Sequence, residues 1–308
     1  MGAILLLESR AEELRALLST KASGLVYCLP DDGEDAIARC DIWLGEPDRA
    51  VSLLTAGHRP AWLQSTWAGF KPLLAAHLPQ DYRLSRAVGV FGQPIAQYIL
   101  AHLLAHEQRL FSLQAQQQRQ VWDRQLSGLL TGKTLLIVGA GDIGAEVAAM
   151  LRSFGVTLHG IVSTPRALPG FERVSGIDAL TQEVAQADYV VNLLPDTAKT
   201  QNLYDAELFA HMKPSVVFIN VGRGTSVVDN DLVAALREGK LARAVLDVFR
   251  QEPLPAEHPF WLTPNLTLTP HIAGPMVPAL MADLFLDNLQ RYSQGVSLRG
   301  EVDFSREY

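Results

Sequence analysis

Leu135-Leu136-Ile137-Val138 runs without a break into Gly139-Ala140-Gly141-Asp142-Ile143-Gly144, and helix-forming residues 145–151 follow. A Gly-x-Gly-x-x-Gly triplet alone arises often. Set between a strand and a helix, with another strand beyond, it marks the turn that holds a dinucleotide pyrophosphate. Gly139 permits the tight turn, Gly141 lets the backbone approach the phosphates, and Gly144 lets the helix pack closely on the strand. The free N–H groups of Asp142, Ile143 and Gly144 then open the helix toward negative charge.

Working outward, strands are read at 134–138, 157–162, 189–194, 216–220, 244–248 and 266–269, with helices at 145–154 and 229–238 between them. Several strands are continuous Val/Ile/Leu runs, as expected where both faces are covered. The first third also alternates, with strands at 3–8, 24–29 and 41–44, a helix at 11–18 and turn residues at 30–33. Such βαβ alternation predicts mostly parallel sheets. A long helix is expected from Pro94, a residue suited to a first helical position, to about Gln118. It reads equally as a connection between domains that also offers an oligomer surface, or as an internal core helix. A helix at 278–292 is expected to return to the first domain.

The remaining composition excludes several classes. The 308 residues suit about two domains. A net charge of −7 leaves no basic excess for nucleic acid. The apolar run 3–7 is followed at once by Glu8, Ser9 and Arg10, so no secretory signal is read. No segment reaches the ~20 apolar residues of a membrane span. Cys28 and Cys40 form neither a disulfide framework nor a Cys-x-x-Cys zinc pair, and they read as small buried residues. No metal is expected, and the chain is placed in the cytoplasm.

Three further residues suit chemistry at a 2-oxo acid. Arg223, in Asn220-Val221-Gly222-Arg223-Gly224, follows a strand end, where ligands bind in open α/β sheets. Its planar fork suits a carboxylate. His271, after Pro270, is the candidate proton donor, since imidazole titrates near neutrality. Glu252, in Gln251-Glu252-Pro253, is its candidate partner, because a nearby carboxylate favours protonated imidazole.

With these residues the chain resembles the D-isomer-specific 2-hydroxyacid dehydrogenase family, and within it the glyoxylate/hydroxypyruvate reductase branch. The likeness extends through Leu193-Leu194-Pro195-Asp196-Thr197, 218–224, Val245-Leu246-Asp247-Val248-Phe249, Glu252-Pro253-Leu254-Pro255 and Pro270-His271-Ile272-Ala273. It implies two doubly wound parallel-sheet α/β domains, a Rossmann-type cofactor domain inserted in a flavodoxin-like substrate domain. The expected bounds are 1–96 with 278–308 for the substrate domain, and 97–277 for the dinucleotide-binding domain with its linking helix. The resemblance assigns substrate binding to Arg223, pairing with histidine to Glu252 and proton donation to His271. Asp247 would position the nicotinamide carboxamide. Leu194, Pro195 and the Val221, Gly222 and Arg223 backbone would form the cofactor wall, with His271, Ala273 and Gly274 beside it. Ala68 and Gly69 would hold the substrate carboxylate through backbone N–H groups, with Trp67 flanking the pocket or serving as an ordinary core aromatic.

Cofactor choice is read at the end of strand 157–162. An NAD site needs an acidic residue about 20 residues beyond the glycine turn. Here Ser163, Thr164, Pro165 and Arg166 stand instead. Two hydroxyls and an arginine suit a 2′-phosphate, so NADP(H) is expected to be preferred and NAD(H) admitted, unless Arg166 is simply a solvated surface charge. The expected activity is reduction of glyoxylate or hydroxypyruvate by a homodimer that binds neither nucleic acid nor membrane. The rival reading is an NAD(P)-sensing regulatory protein on the same fold.

Overall fold

The apolar runs form parallel strands in two separate sheets of a computed structural model, which describes residues 2–304. One compact unit takes the chain up to Phe91 and again from Met276; the other is Gly92–Pro275. The second unit is therefore an insertion within the first.

The first unit holds β1 (Ile4–Leu7), β2 (Tyr27–Cys28), β3 (Ile42–Gly45), β4 (Trp62–Ser65) and β5 (Arg83–Ser85), in the order β2-β1-β3-β4-β5, all parallel. This is the flavodoxin-like winding, which reverses between β1 and β3. The helix Pro278–Ser293 returns to this unit. Its Phe285 stacks on Trp62 of β4 with ring centroids 5.4 Å apart. Asn288 Nδ2 donates to Gln64 Oε1 at 2.7 Å, and Ser85 Oγ donates to the same oxygen at 2.8 Å. These polar groups are fully buried but bonded, which avoids the cost of an unpaired buried group.

The second unit holds β6 (Thr134–Val138), β7 (Thr157–Val162), β8 (Arg173–Gly176), β9 (Tyr189–Asn192), β10 (Val217–Asn220), β11 (Arg243–Leu246) and β12 (Leu266–Leu268). Its order is β12-β11-β10-β9-β6-β7-β8, again parallel. Counted from β6, this is the Rossmann order with one more strand at the edge. Tyr204, Phe209 and Phe218 are fully buried on one side of it.

Some expectations are corrected. The long helix of 94–118 is two helices, Gly92–Glu107 and Leu110–Gln118, because Arg109 takes a left-handed conformation (φ 55°) between them. Pro94 is its third residue rather than its first. The position costs no bond, since the first-turn N–H groups lack intrahelical partners anyway. The strand read at 24–29 shrinks to Tyr27–Cys28, and the strands β4, β5 and β8 were not read at all. The chain passes between units at Phe91/Gly92 and Pro275/Met276, against 96/97 and 277/278 in the sequence reading, because the helix starting at Gly92 belongs whole to the second unit. Cys28 and Cys40 are buried free thiols.

Candidate active site

The glycine turn lies where the second sheet reverses, between β6 and β9. Gly139 has φ +96°, and a Cβ there would lie 2.9 Å from the Leu193 carbonyl carbon and 3.0 Å from Leu194 N. The turns after β6 and β9 therefore touch backbone to backbone. A Cβ on Gly144 would come within 3.0 Å of Gly139 O and 3.2 Å of Ile137 Cγ2, so any side chain there pushes the helix off the strand. At Gly141, its chain neighbours aside, no atom of the described residues lies within 4 Å of that position. Gly141 caps the helix Asp142–Leu151, whose first N–H groups point out of the helix end. The turn thus fits a pyrophosphate: positive partial charge behind, open backbone in front. Ser163, Thr164 and Arg166 are exposed just past β7.

Beyond β9 and β10 the opposite wall is built on two asparagines that sequence reasoning missed. Asn192 and Asn220 are register partners at the strand ends and wholly buried. Asn192 donates to Asn220 Oδ1 (2.9 Å) and to Ser226 Oγ (2.8 Å). Asn220 Nδ2 and Ser226 Oγ both donate to the Arg223 carbonyl, at 3.1 and 2.7 Å. Asn220 Oδ1 also accepts from Gly222 N at 3.1 Å. The turn 220–226 is therefore clamped from beneath. A Cβ on Gly222 would meet Leu194 O at 2.7 Å, so the Leu194-Pro195 and Val221-Gly222 segments lie directly against each other. The only sequence signal was a polar residue ending each of two apolar strands.

Arg223 rides on this clamped turn, half-buried. Burial pushes its guanidinium below the usual arginine range, while the carboxylates of Glu252 and Asp196 act the other way. Arginine stays charged through such a shift.

His271 Nδ1 lies 2.7 Å from Glu252 Oε2. An ionised carboxylate only accepts, so Nδ1 carries the hydrogen and Nε2 is left for other partners. Glu252 is itself fixed, because its Oε1 accepts from Phe249 N at 2.9 Å. His271 has φ 54°, a left-handed conformation that costs a residue with a side chain about 1–3 kcal/mol. Its N–H is held by Asp247 O (2.9 Å) and Thr269 O (3.0 Å). Buried Asp247 takes three further bonds: Oδ1 from Thr269 Oγ1 (2.7 Å) and Ile272 N (2.8 Å), and Oδ2 from Ala273 N (2.8 Å). Gly274 follows directly. Arg223, Asp247, Glu252 and His271 all lie beyond the C-terminal ends of neighbouring strands.

In the first unit, Trp67, Ala68 and Gly69 follow β4. Trp67 is 39% exposed, so it is not a core aromatic. Thr66, just before it, donates from Oγ1 to buried Glu8 Oε2 at 2.6 Å. Burial, then the neighbouring Glu46 carboxylate, pushes the Glu8 carboxyl up to about 7. A raised carboxyl contributes stability that is present below its ordinary value of 4.5 and lost as pH rises through about 7. Glu8→Gln, which mimics the protonated acid, should therefore gain on the parent by on the order of 2 kcal/mol between pH 5 and pH 8 in urea unfolding. An equal difference at both pH values would contradict a proton held on Glu8.

A phosphate turn at a sheet's reversal point, in one unit with a fixed imidazole and a half-buried guanidinium, defines an NAD(P)-dependent oxidoreductase. The model of the D-isomer specific 2-hydroxyacid dehydrogenase NAD binding domain matches residues 100–273. A glyoxylate/hydroxypyruvate reductase A of Yersinia enterocolitica is 35% identical over 69% of this chain and 68% of its own. Among solved structures, a D-isomer specific 2-hydroxyacid dehydrogenase family protein from Aeromonas salmonicida matches with a TM-score of 0.92 and 38% identity, over 98% of this chain and 99% of that one. An NADPH-dependent glyoxylate/hydroxypyruvate reductase from Sinorhizobium meliloti, in complex with NADP and sulfate, matches with a TM-score of 0.87 and 26% identity over the whole of both chains. The chain belongs to the D-isomer specific 2-hydroxyacid dehydrogenase family.

Proposed function

We propose that this protein reduces a small 2-oxo acid, glyoxylate or hydroxypyruvate, to the 2-hydroxy acid, with NADP(H) preferred over NAD(H). The observation that carries the reading is the His271–Glu252 pair, closed at 2.7 Å and leaving Nε2 available. The cofactor, when bound at the glycine turn, supplies hydride. His271 gives the proton from Nε2 to the ketone oxygen, and Glu252 stabilises the imidazolium before transfer. Arg223 binds the substrate carboxylate and offers a fixed positive charge to the oxygen as it gains electron density. In the first unit, carboxylate binding is assigned to the Ala68 and Gly69 N–H groups, with Trp67 as the flanking side chain. Asp247 Oδ2, with one donor among the described residues, keeps acceptor capacity for the nicotinamide carboxamide.

The cofactor reading rests on Ser163, Thr164 and Arg166, a stretch with no Asp or Glu of its own, and on the relative crystallised with NADP. Steady-state rates for a panel of 2-oxo acids with both cofactors test the reading. kcat/KM should be highest with glyoxylate or hydroxypyruvate, and at least about tenfold higher with NADPH than with NADH, the worth of one charge-assisted phosphate contact. A clear NADH preference would overturn the cofactor assignment.

The working unit is proposed to be a homodimer. Along 110–129, Leu110, Leu126 and Leu129 are exposed and Trp122 is 100% exposed, an apolar concentration of the kind that marks an interface. Light scattering should give twice the 33.7 kDa chain mass. We assign it to the cytoplasm, where two free buried cysteines persist as thiols. Among the described residues, no helix is long and apolar enough to cross a membrane.

A further inference from the structure

Behind Asp247 a second chain of bonds leads away from the reacting atoms. Tyr98, on the helix Gly92–Glu107, has its hydroxyl 2.6 Å from Thr269 Oγ1. Thr269 Oγ1 lies 2.7 Å from Asp247 Oδ1. The direction of these bonds follows from the groups. A carboxylate only accepts, so the single Thr269 hydroxyl hydrogen is committed to Asp247. Thr269 must then accept from Tyr98, whose own hydrogen is committed in turn. Burial pushes the Tyr98 phenol up to about 12, so it remains a donor throughout the working range. The ring is held in place by His102, one helical turn on, with centroids 4.6 Å apart.

The carboxylate that ends this chain also anchors the catalytic turn. Asp247 receives Ile272 N–H and Ala273 N–H on its side-chain oxygens and His271 N–H on its carbonyl. His271 needs that anchoring because its φ of 54° is unfavourable for a residue with a side chain. A carboxylate held by two N–H donors from one short loop can still rotate together with that loop. The Thr269 hydroxyl adds a donor from the strand side, and the bond from Tyr98 polarises and orients that hydroxyl.

We infer that Tyr98 and Thr269 are positioning residues for proton transfer: their hydroxyl chain fixes the carboxylate plane of Asp247, which sets the backbone of 271–273 and so the place of the His271 ring. The inference rests on the reductase reading above. It adds two residues on or beside elements that carry no part of the phosphate turn.

The test compares Thr269→Val, Thr269→Ser and Tyr98→Phe in the full chain, with NADPH and glyoxylate. Valine keeps the shape and removes the hydroxyl; serine keeps the hydroxyl. Losing a hydrogen bond to a charged group corresponds to roughly a tenfold or larger effect. Thr269→Val should lower kcat about tenfold or more while KM for glyoxylate stays within about threefold. Its solvent deuterium isotope effect on kcat should rise, as misplaced His271 makes proton transfer more nearly rate-limiting. Thr269→Ser should restore kcat to within about twofold, and Tyr98→Phe should fall between the two. Wild-type kcat and isotope effect in Thr269→Val, or a Thr269→Ser enzyme as slow as Thr269→Val, would overturn the inference. The ring resonances of His271, followed by NMR in parent and Thr269→Val, are independent of turnover. If they move although the parent reduces no 2-oxo acid, the reductase reading fails and the positioning role stands. If they do not move, the positioning role fails.

Discussion

Replacing His271 with alanine should lower kcat for 2-oxo acid reduction by roughly 10²–10⁴-fold, the usual worth of a positioned general acid. NADPH binding, read by quenching or transfer of protein fluorescence, should change little, because the phosphate turn at Gly139 to Gly144 lies on β6 and its helix, not on the loop after β12. The residual rate should come from Arg223 and from simple placement of the reactants. Glu252→Gln gives a graded version of the same result. Glutamine retains an acceptor for His271 Nδ1 but not the charge that stabilises the imidazolium, so its rate should fall between parent and His271→Ala. Near-parental turnover in His271→Ala would remove the imidazole from the reaction and leave the 2.7 Å bond to Glu252 without a chemical purpose.

Replacing Arg223 with glutamine should lower kcat/KM for glyoxylate by roughly 10³-fold or more. Loss of a single preorganised donor to a developing oxyanion costs about 10²–10³ in kcat, and loss of the bidentate carboxylate contact adds to KM. Arg223→Lys should rescue only part of this, since a point charge replaces a planar fork. The clamped turn makes the comparison clean. Asn220 and Ser226 hold the Arg223 carbonyl, and Asn220 holds the Gly222 N–H, so the turn keeps these anchors when the bond from Arg223 Nη1 to the Gly222 carbonyl is lost. The effect should also depend on substrate charge: a neutral ester of the same acid should lose much less than the acid itself. Equal losses for ester and acid would contradict a carboxylate-binding role.

The sequence was most informative where a single local rule determines structure. Strands β6 and β7 have the bounds read from their apolar runs, and the glycine turn lies where strand gives way to helix. It was least informative where structure depends on distant partners. Strand β4 contains Gln64 and Ser65, which interrupt an apolar run, and the Asn288 and Ser85 side chains that satisfy buried Gln64 come from distant parts of the chain. Strand β8 is a short edge strand with an exposed arginine and so has little apolar signal. The break at Arg109 is a single dihedral with no glycine to announce it. The same divide runs through the candidate site. Arg223, Glu252 and His271 stood out because each has a charge or a titration suited to one chemical step. Asn192, Asn220, Tyr98 and Thr269 carry neutral side chains whose roles appear only once the strand register and the Gly92–Glu107 helix bring them within bonding distance.

The most direct measurement is stoichiometric: purified protein, NADPH and glyoxylate, with NADPH loss followed optically and glycolate quantified in the same samples. The Arg223, Glu252 and His271 arrangement predicts one glycolate formed per NADPH oxidised over many turnovers, with the rate collapsing in His271→Ala. NADPH that binds but is never consumed, with glyoxylate, hydroxypyruvate or any other small 2-oxo acid, would contradict the reductase and leave a dinucleotide sensor on the same fold.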